Sequence, residues 1–182
     1  MARYVALLRG INVGGNNHIK MTELKACFEK QGLRDVVTYI QSGNVLFTGG
    51  GNESKLCSGI EAVLAKTFDY RASVVLRSQK ELGDIVRRAP KGFGTKPDEY
   101  RYDVIFLKAP LTAPGAMKSV KTKPGVDQAT AGTGVVYFSR LIKKATQSQL
   151  PKLVSQPVYK SMTIRNWNTT TRLLQMMDSP KP

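Results

Sequence analysis

The stretch VVTYIQSGNVLF, residues 36–47, decides the fold because it places two strand patterns on either side of one turn. Residues 36–40 and 45–48 are rich in β-branched and apolar side chains, and residues 41–44 carry the Ser, Gly and Asn that favour turns. Helical patterns lie on both sides of this unit. It therefore predicts two strands joined by a turn in the sheet of an α+β protein.

The flanking segments complete a β-α-β-β-α-β order. Residues 4–8 and 71–77 are short apolar or alternating runs, which indicate strands. Residues 21–28 and 56–64 repeat apolar side chains at helical spacing, which predicts one helix before and one helix after the central strands. This order is that of a ferredoxin-like unit, in which two helices cover one face of a sheet.

Residues 78–182 show a similar alternation of patterns. A helical pattern, a strongly β-like run at residues 102–107, a glycine hairpin and a last strand at residues 161–165 follow one another. Asn168 is predicted to cap the closing helix. We therefore predict an α+β fold of two packed ferredoxin-like (βαββαβ-type) subdomains, residues 1–77 and 78–182.

Length and composition bound the class of protein. The 182 residues are 41% hydrophobic, which suits an ordinary folded core and argues against a disordered chain. No apolar run approaches the roughly 18 residues of a membrane span, and the N-terminus lacks a signal-peptide pattern, so we expect a cytoplasmic protein without a membrane partner. With no CxxC pair and a single histidine, His18, we expect no metal, and no cofactor motif is present.

The formal net charge is +15, from 28 basic and 13 acidic residues. It is uneven, since residues 104–177 hold 11 basic residues and a single acid, Asp127. Such an excess attracts polyanions and anionic substrates, which predicts nucleic acid or a small anionic ligand as the partner. The other interpretation is a solvated surface, and the charge alone does not choose between the two.

The loop after the first strand is the first candidate ligand site. Arg9 ends that strand, where a guanidinium is costly unless paired, and it would suit a phosphate or a carboxylate. Asn12, Gly14 and Gly15 follow in the loop, and Lys20 stands just before a helix N-terminus, a place that favours anions. The loop lacks GxGxxG spacing and a GK[ST] ending, so tight turns are the competing explanation.

Two further blocks carry candidate ligand residues. Ser42 and Asn44 lie in the turn between the central strands and offer hydrogen-bonding groups. Arg165 and Asn166 lie where the last strand meets the closing helix, and an arginine beside a helix N-terminus suits an anion. The competing explanation is that these polar groups only brace turns and that Trp167 belongs to the core.

Three functions remain open at this point. The first is a basic binding protein for nucleic acid or a phosphorylated small molecule. The second is an enzyme acting on a phosphate- or carboxylate-bearing metabolite, with Arg9 and Arg165 as clamps where the three polar blocks meet. The third is a structural or oligomerising domain. A pocket lined by all three blocks would favour the enzyme.

Three blocks occur in order along nearly the whole chain: YVALLRGINVGGNNHIKMTELK, VVTYIQSGNVLF and TIRNWNTTTRLLQMM. Together they resemble an uncharacterised bacterial family, domain-of-unknown-function family 1697. The resemblance implies a compact α+β protein of two ferredoxin-like subdomains. It implies no activity, cofactor or catalytic residue, so no role passes from the family to a position of this sequence. Residues 92–132 match the family least well.

Overall fold

The structure is a computed structural model that describes residues 1–12, 18–68 and 72–179. The chain divides into two compact units, Met1–Leu82 with the chain end from Leu173, and Gly83–Arg172. The boundary predicted after residue 77 lies close to this division. The end of the closing helix, however, belongs to the N-terminal unit.

The N-terminal unit has the predicted ferredoxin-like topology. Its four strands form one antiparallel sheet in the order β2-β3-β1-β4, with one helix in each of the two crossovers. The elements are β1 (Ala2–Arg9), α1 (Met21–Glu29), β2 (Arg34–Tyr39), β3 (Asn44–Gly49), α2 (Glu53–Phe68) and β4 (Ser73–Ser78).

The core of this unit lies between the sheet and the two helices. Alternate residues of β1 point to the helical side, because successive side chains of a strand face opposite ways. Tyr4 and Phe47 stack with ring centroids 5.8 Å apart, and Phe28 from α1 lies 5.6 Å from Phe47. Ile60 and Leu64 from α2 complete the cluster and are fully buried. The predicted amphipathic stripes thus cover the sheet.

The C-terminal unit repeats this topology with shorter helices. Its antiparallel sheet has the order β6-β7-β5-β8. The elements are β5 (Tyr100–Leu107), α4 (Ala113–Met117), β6 (Asp127–Gly132), β7 (Val135–Leu141), α5 (Leu150–Val154) and β8 (Met162–Asn166), with 3-10 helices at Ile142–Gln147 and Pro157–Ser161. The α+β fold of two ferredoxin-like units is therefore confirmed.

Two further helices complete the chain, α3 (Gln79–Arg87) and α6 (Trp167–Asp178). Ser78 caps α3 with a capping box: its Oγ accepts from the Glu81 N–H at 3.3 Å, while a Glu81 carboxylate oxygen accepts from the Ser78 N–H at 2.8 Å. None of the helices in the described part of the chain has the length and hydropathy of a membrane span.

The two faces of the C-terminal sheet differ in character. Ile105, Val136 and Phe138 belong to the buried cluster that includes Ala116 of α4 and Leu153 of α5. Residues next to these along each strand point to the opposite face of the sheet. One face is therefore covered by α4 and α5, and the other, which carries Val104, Phe106 and Tyr137, is buried without contributing to that cluster.

One offset between two strands matters for the site. β8 pairs with β5 only from Asp103 to Leu107, whereas β5 already begins at Tyr100. The start of β5 therefore extends past the end of β8, and the chain turns into α6 at this level. The offset leaves a notch at the edge of the sheet, beside Trp167 and Asn168.

Candidate functional site

The polar groups of the first two blocks meet in the N-terminal unit, where they bond to each other. The Asn12 side-chain amide donates to the carbonyl oxygens of Ile19 at 3.0 Å and Gln41 at 2.9 Å. Its Oδ1 accepts from the Ile19 N–H at 2.8 Å. Asn12 thereby ties the loop after β1 to the turn between β2 and β3.

The turn itself is braced against β1. Asn44 is fully buried, and its Nδ2 donates to the Tyr39 carbonyl at 3.0 Å and to the Ser42 hydroxyl at 3.1 Å. The Gly43 carbonyl accepts from the Leu8 N–H at 2.8 Å. These bonds give Ser42 and Asn44 a structural task, and ligand contact there stays a prediction.

The other candidates of the first block lie at the end of β1 and just before α1. Arg9 is half-buried at the end of β1, opposite Ser73 of β4. Lys20 is exposed and lies 3.9 Å from the Glu23 carboxylate. Gly14 and Gly15 lie outside the described residues. Anion binding by this block therefore stays a prediction as well.

In the third block, at the junction of β8 and α6, Arg165 is buried and Asn166 caps the helix. Arg165 is only 9% exposed, and its Nη1 donates to the Ile164 carbonyl at 2.9 Å. Burial lowers the pKa of its guanidinium to about 10, partly offset by Tyr159. The expected helix cap at Asn168 is wrong. α6 begins at Trp167, so Asn166 is the N-cap, and its Oδ1 accepts from the Thr169 N–H at 2.7 Å.

The notch beside β5 is a cleft with a volume of about 500 Å³. This volume lies within the range of small-molecule sites. Three charged strand residues line it, Arg101, Asp103 and Arg140, and the β8–α6 junction adds Asn166, Trp167 and Asn168. The cleft thus brings Asn166, a predicted ligand residue, together with charged groups that the sequence analysis did not select.

The two arginines of the cleft stand directly opposite each other. Arg101 of β5 and Arg140 of β7 are register partners, so their side chains leave the same face of the sheet. Like charges in such a pair are destabilising. Asp103 compensates in part, since its Oδ2 lies 3.6 Å from Nη2 of Arg140. That distance is too long for a hydrogen bond.

Two buried polar atoms at this place need an explanation. Oδ2 of Asp103 and Nε of Arg140 have no hydrogen-bond partner among the described residues. Buried polar groups in folded proteins are nearly always hydrogen-bonded to protein, water or ligand. Asp103 is only 8% exposed and lines the cleft, so water or a ligand in the cleft would satisfy such atoms.

Burial raises the pKa of the Asp103 carboxyl above its ordinary value, while Arg140 and then Arg101 lower it by smaller amounts. A carboxyl shifted by burial beside specific charges in a cleft is typical of functional sites. The sequence held a signal for it, because Asp103 interrupts the apolar run of YRYDVIFL, residues 100–107. A charged group in an apolar strand is costly at Asp103 for the same reason as at Arg9.

An aromatic cluster stands next to the cleft. Phe93 makes edge-to-face contacts with Tyr102, Tyr137 and Trp167, at ring-centroid distances of 4.9, 5.4 and 5.1 Å. Gly94 has a φ of +85°, and a side chain there would run into the Trp167 indole. The cluster holds the indole of Trp167 at the cleft. Trp167 is half-buried, so it is partly core and partly lining.

The polar blocks therefore line two separate clefts. Groups of the first two blocks, Asn12, Lys20 and Gln41, line a cleft of about 290 Å³ in the N-terminal unit. The third block lines the cleft of Arg101 and Arg140 in the C-terminal unit. Among the described residues, no group of three or more His, Cys, Asp and Glu side chains is placed to hold a metal ion.

Fold and site together define an α+β protein of two ferredoxin-like units with a charged cleft in the second. The family described as "Protein of unknown function (DUF1697)" matches residues 1–137, and the chain belongs to it. Among solved structures, the chain is similar to the conserved bacterial protein SP0830 from Streptococcus pneumoniae. The two are 27% identical, the match covers 97% of this chain and 99% of that one, and the TM-score is 0.86. None of the curated proteins matches the chain.

Proposed function

We propose that the C-terminal unit binds an anionic ligand, either nucleic acid or a phosphorylated small molecule. The observation that carries this proposal is the pair of guanidinium groups on one face of the sheet, Arg101 opposite Arg140. A phosphate between them would offset their repulsion, and guanidinium groups bind phosphate through charge-assisted hydrogen bonds.

The surroundings of the pair support the same ligand class. Nε of Arg140 is a buried donor without a partner among the described residues. Asn166 and Asn168 add amide groups to the lining of the cleft. Such convergent polar groups in a concave site fix the orientation of a ligand.

The long-range field favours anions at this unit. Gly83–Arg172 holds sixteen lysines and arginines against five acidic residues, so it carries a net +11 of the chain's +15. A field of this sign raises the local concentration of anions and speeds their association, and it weakens with salt. The net charge thus supports an anion as the ligand, and the arginine pair supports the cleft as its binding site.

A titration with two probes tests the proposal. Trp167 is the sole tryptophan and lines the cleft, so its fluorescence reports on the site. Inorganic pyrophosphate is the small probe, and a labelled single-stranded oligonucleotide followed by anisotropy is the polymeric one. Arg101→Gln and Arg140→Gln are each expected to weaken binding about tenfold or more, because a hydrogen bond to a charged group contributes about 1.5–3 kcal/mol.

Lys152→Gln is the matched control. Lys152 is exposed on α5 and does not line the cleft, and its replacement removes the same unit of charge. We expect it to change the affinity by less than about twofold, through the general field only. If neither pyrophosphate nor the oligonucleotide binds at low salt, the proposal is wrong. If all three substitutions weaken binding equally, the ligand does not bind at the arginine pair.

The carboxyl of Asp103 favours a second candidate, an enzyme acting on a phosphate- or carboxylate-bearing metabolite. A buried carboxyl whose pKa is raised is suited to accept or donate a proton beside a bound anion. The test is turnover of a panel of phosphorylated metabolites, followed by the release of inorganic phosphate. Turnover that is lost in Asp103→Asn while binding persists would support the enzyme, and no turnover by the wild type would exclude phosphate release.

A further inference from the structure

The arginine cleft also holds an acid that a purely anionic ligand would not use. Asp103 lies two positions after Arg101 in β5, so both side chains leave the same face of the sheet. Asp103 is only 8% exposed and lines the cleft with Arg101 and Arg140. Its carboxylate repels a phosphate bound at the two guanidinium groups. A ligand that carries a positive group next to its phosphate would offset this repulsion.

The protein itself leaves this carboxylate incompletely paired. Oδ2 of Asp103 is buried and has no hydrogen-bond partner among the described residues. Nη2 of Arg140 lies 3.6 Å from it, which makes an ion pair but is too long for a hydrogen bond. An ionised carboxylate only accepts hydrogen bonds, so the missing partner is a donor. An ammonium group offers three donors and a positive charge, whereas water offers donors without the charge.

A second buried acid on this face of the sheet differs from Asp103 in its partners. Asp127 faces Arg140 from β6 and is 5% exposed. Its Oδ2 accepts from the backbone N–H groups of Lys123 at 3.1 Å and Gln149 at 2.9 Å. Although its Oδ1 also lacks a partner among the described residues, Asp127 is not part of the lining of the cleft. Asp127 therefore joins two backbone segments, and Asp103 is the acid that a ligand in the cleft contacts.

The spacing of the charges sets the size of the ligand. Cα atoms two positions apart in a strand are separated by about 6.8 Å, so the negative and positive groups of the ligand are joined by a short chain. Asn166 faces Asp103 from β8 and lines the same cleft. Its Oδ1 accepts from the Thr169 N–H at 2.7 Å, which fixes the orientation of its amide. These distances favour a compact ligand over a polymer.

We propose that the ligand is a small phosphorylated amine, with its phosphate at Arg101 and Arg140 and its ammonium group at Asp103. This inference rests on the proposed function and adds the positive group as the element that is recognised. The charged groups of the lining are two arginines and one acid, which sum to +1 when Asp103 is ionised. A phosphate monoester with one ammonium group carries about −0.5 to −1 at neutral pH, so the charges of cleft and ligand are complementary.

Calorimetric titration of the full chain with three phosphate esters tests the ammonium group. Ethyl phosphate, phosphoethanolamine and phosphocholine carry the same phosphate on the same short chain. Phosphoethanolamine adds a primary ammonium group with donors, and phosphocholine adds a quaternary one with a charge and no donor. We expect phosphoethanolamine to bind about tenfold or more tightly than ethyl phosphate, because it adds a hydrogen bond between charged groups. Phosphocholine should bind less tightly than phosphoethanolamine, since it cannot donate to Asp103.

Two matched substitutions locate the effect. Asp103→Asn removes the charge and keeps the shape, so it should abolish the preference for phosphoethanolamine while ethyl phosphate binds at least as tightly as before. A substitution that only disturbed the structure would weaken both ligands alike. Asp127→Asn removes the same charge and keeps an oxygen that can accept from the Lys123 and Gln149 N–H groups, so the preference should persist. The comparison of ligands on the wild type needs no variant, so the test stands even if a variant folds poorly.

The outcomes separate this inference from the proposed function. A preference for phosphoethanolamine over both other esters, lost in Asp103→Asn and kept in Asp127→Asn, supports the phosphorylated amine. Equal binding of phosphoethanolamine and either other ester, with affinity still lost in Arg140→Gln, overturns this inference and leaves the anion site intact. Loss of the preference in both aspartate variants overturns the contact with Asp103. Binding of ethyl phosphate that does not depend on Arg140 overturns the proposed function itself.

Discussion

Replacement of Gly43 by alanine is predicted to destabilise the protein by about 2–5 kcal/mol. Gly43 has a φ of +76°, and a left-handed conformation costs a non-glycine residue about 1–2 kcal/mol. A Cβ there would stand 2.6 Å from Cδ1 of Ile11 and 2.9 Å from Cβ of Leu8. Both neighbours are fully buried, so relieving the overlap adds about 1–3 kcal/mol.

Gly32→Ala is the matched control, measured with Gly43→Ala by urea unfolding and far-ultraviolet circular dichroism. Gly32 has almost the same φ, +75°, and open space around the position of a Cβ. It should therefore show only the conformational cost of about 1–2 kcal/mol. If the two variants agree within about 0.5 kcal/mol, the turn is not packed against Leu8 and Ile11 as described.

Two further predictions concern the junction and the cleft. Asn166→Ala should lower the free energy of unfolding by about 1 kcal/mol through loss of the α6 cap. Asn168→Ala should change it by less than about 0.5 kcal/mol in the same urea experiment. A larger loss in Asn168→Ala than in Asn166→Ala would show that Asn168 is the cap. Burial raises the pKa of Asp103 from an ordinary 3.8, so the folded protein holds this proton more tightly than the unfolded chain does. Its contribution to wild-type stability therefore falls as pH rises from near 3.8 through the raised pKa. The free energy of unfolding of Asp103→Asn relative to the wild type should therefore increase between acid and neutral pH. Parallel pH profiles of the two free energies would contradict this.

The N-terminal unit was predictable because its signals are local. Residues 21–28 and 56–64 carry clear apolar stripes, and the turn at residues 41–44 has the residue types that its geometry demands. In the C-terminal unit the strands were equally clear, but α4, a five-residue helix, is too short to show a period. The cap of α6 was misplaced by two residues, since Asn166 and Asn168 are equally suitable caps and only the backbone decides between them.

The site was less predictable, because it depends on strand register. Arg101 and Arg140 are far apart in sequence, and only the pairing of β5 with β7 makes them opposite neighbours. A shift of one residue would send each to the other face of the sheet. Asp103, by contrast, carried a local signal as an acid within an apolar strand. Asn166 was selected for its position at a helix N-terminus and does line the cleft.

The most direct measurement of anion binding at the arginine pair is a nuclear magnetic resonance titration of the full chain with millimolar inorganic phosphate. The resonances to follow are the Nε–H groups of Arg101 and Arg140 and the indole N–H of Trp167, because these side chains line the same cleft. We predict that all three shift together and saturate at one ligand concentration. Unchanged resonances at these three groups, whether or not phosphate perturbs other residues, would contradict the proposed site.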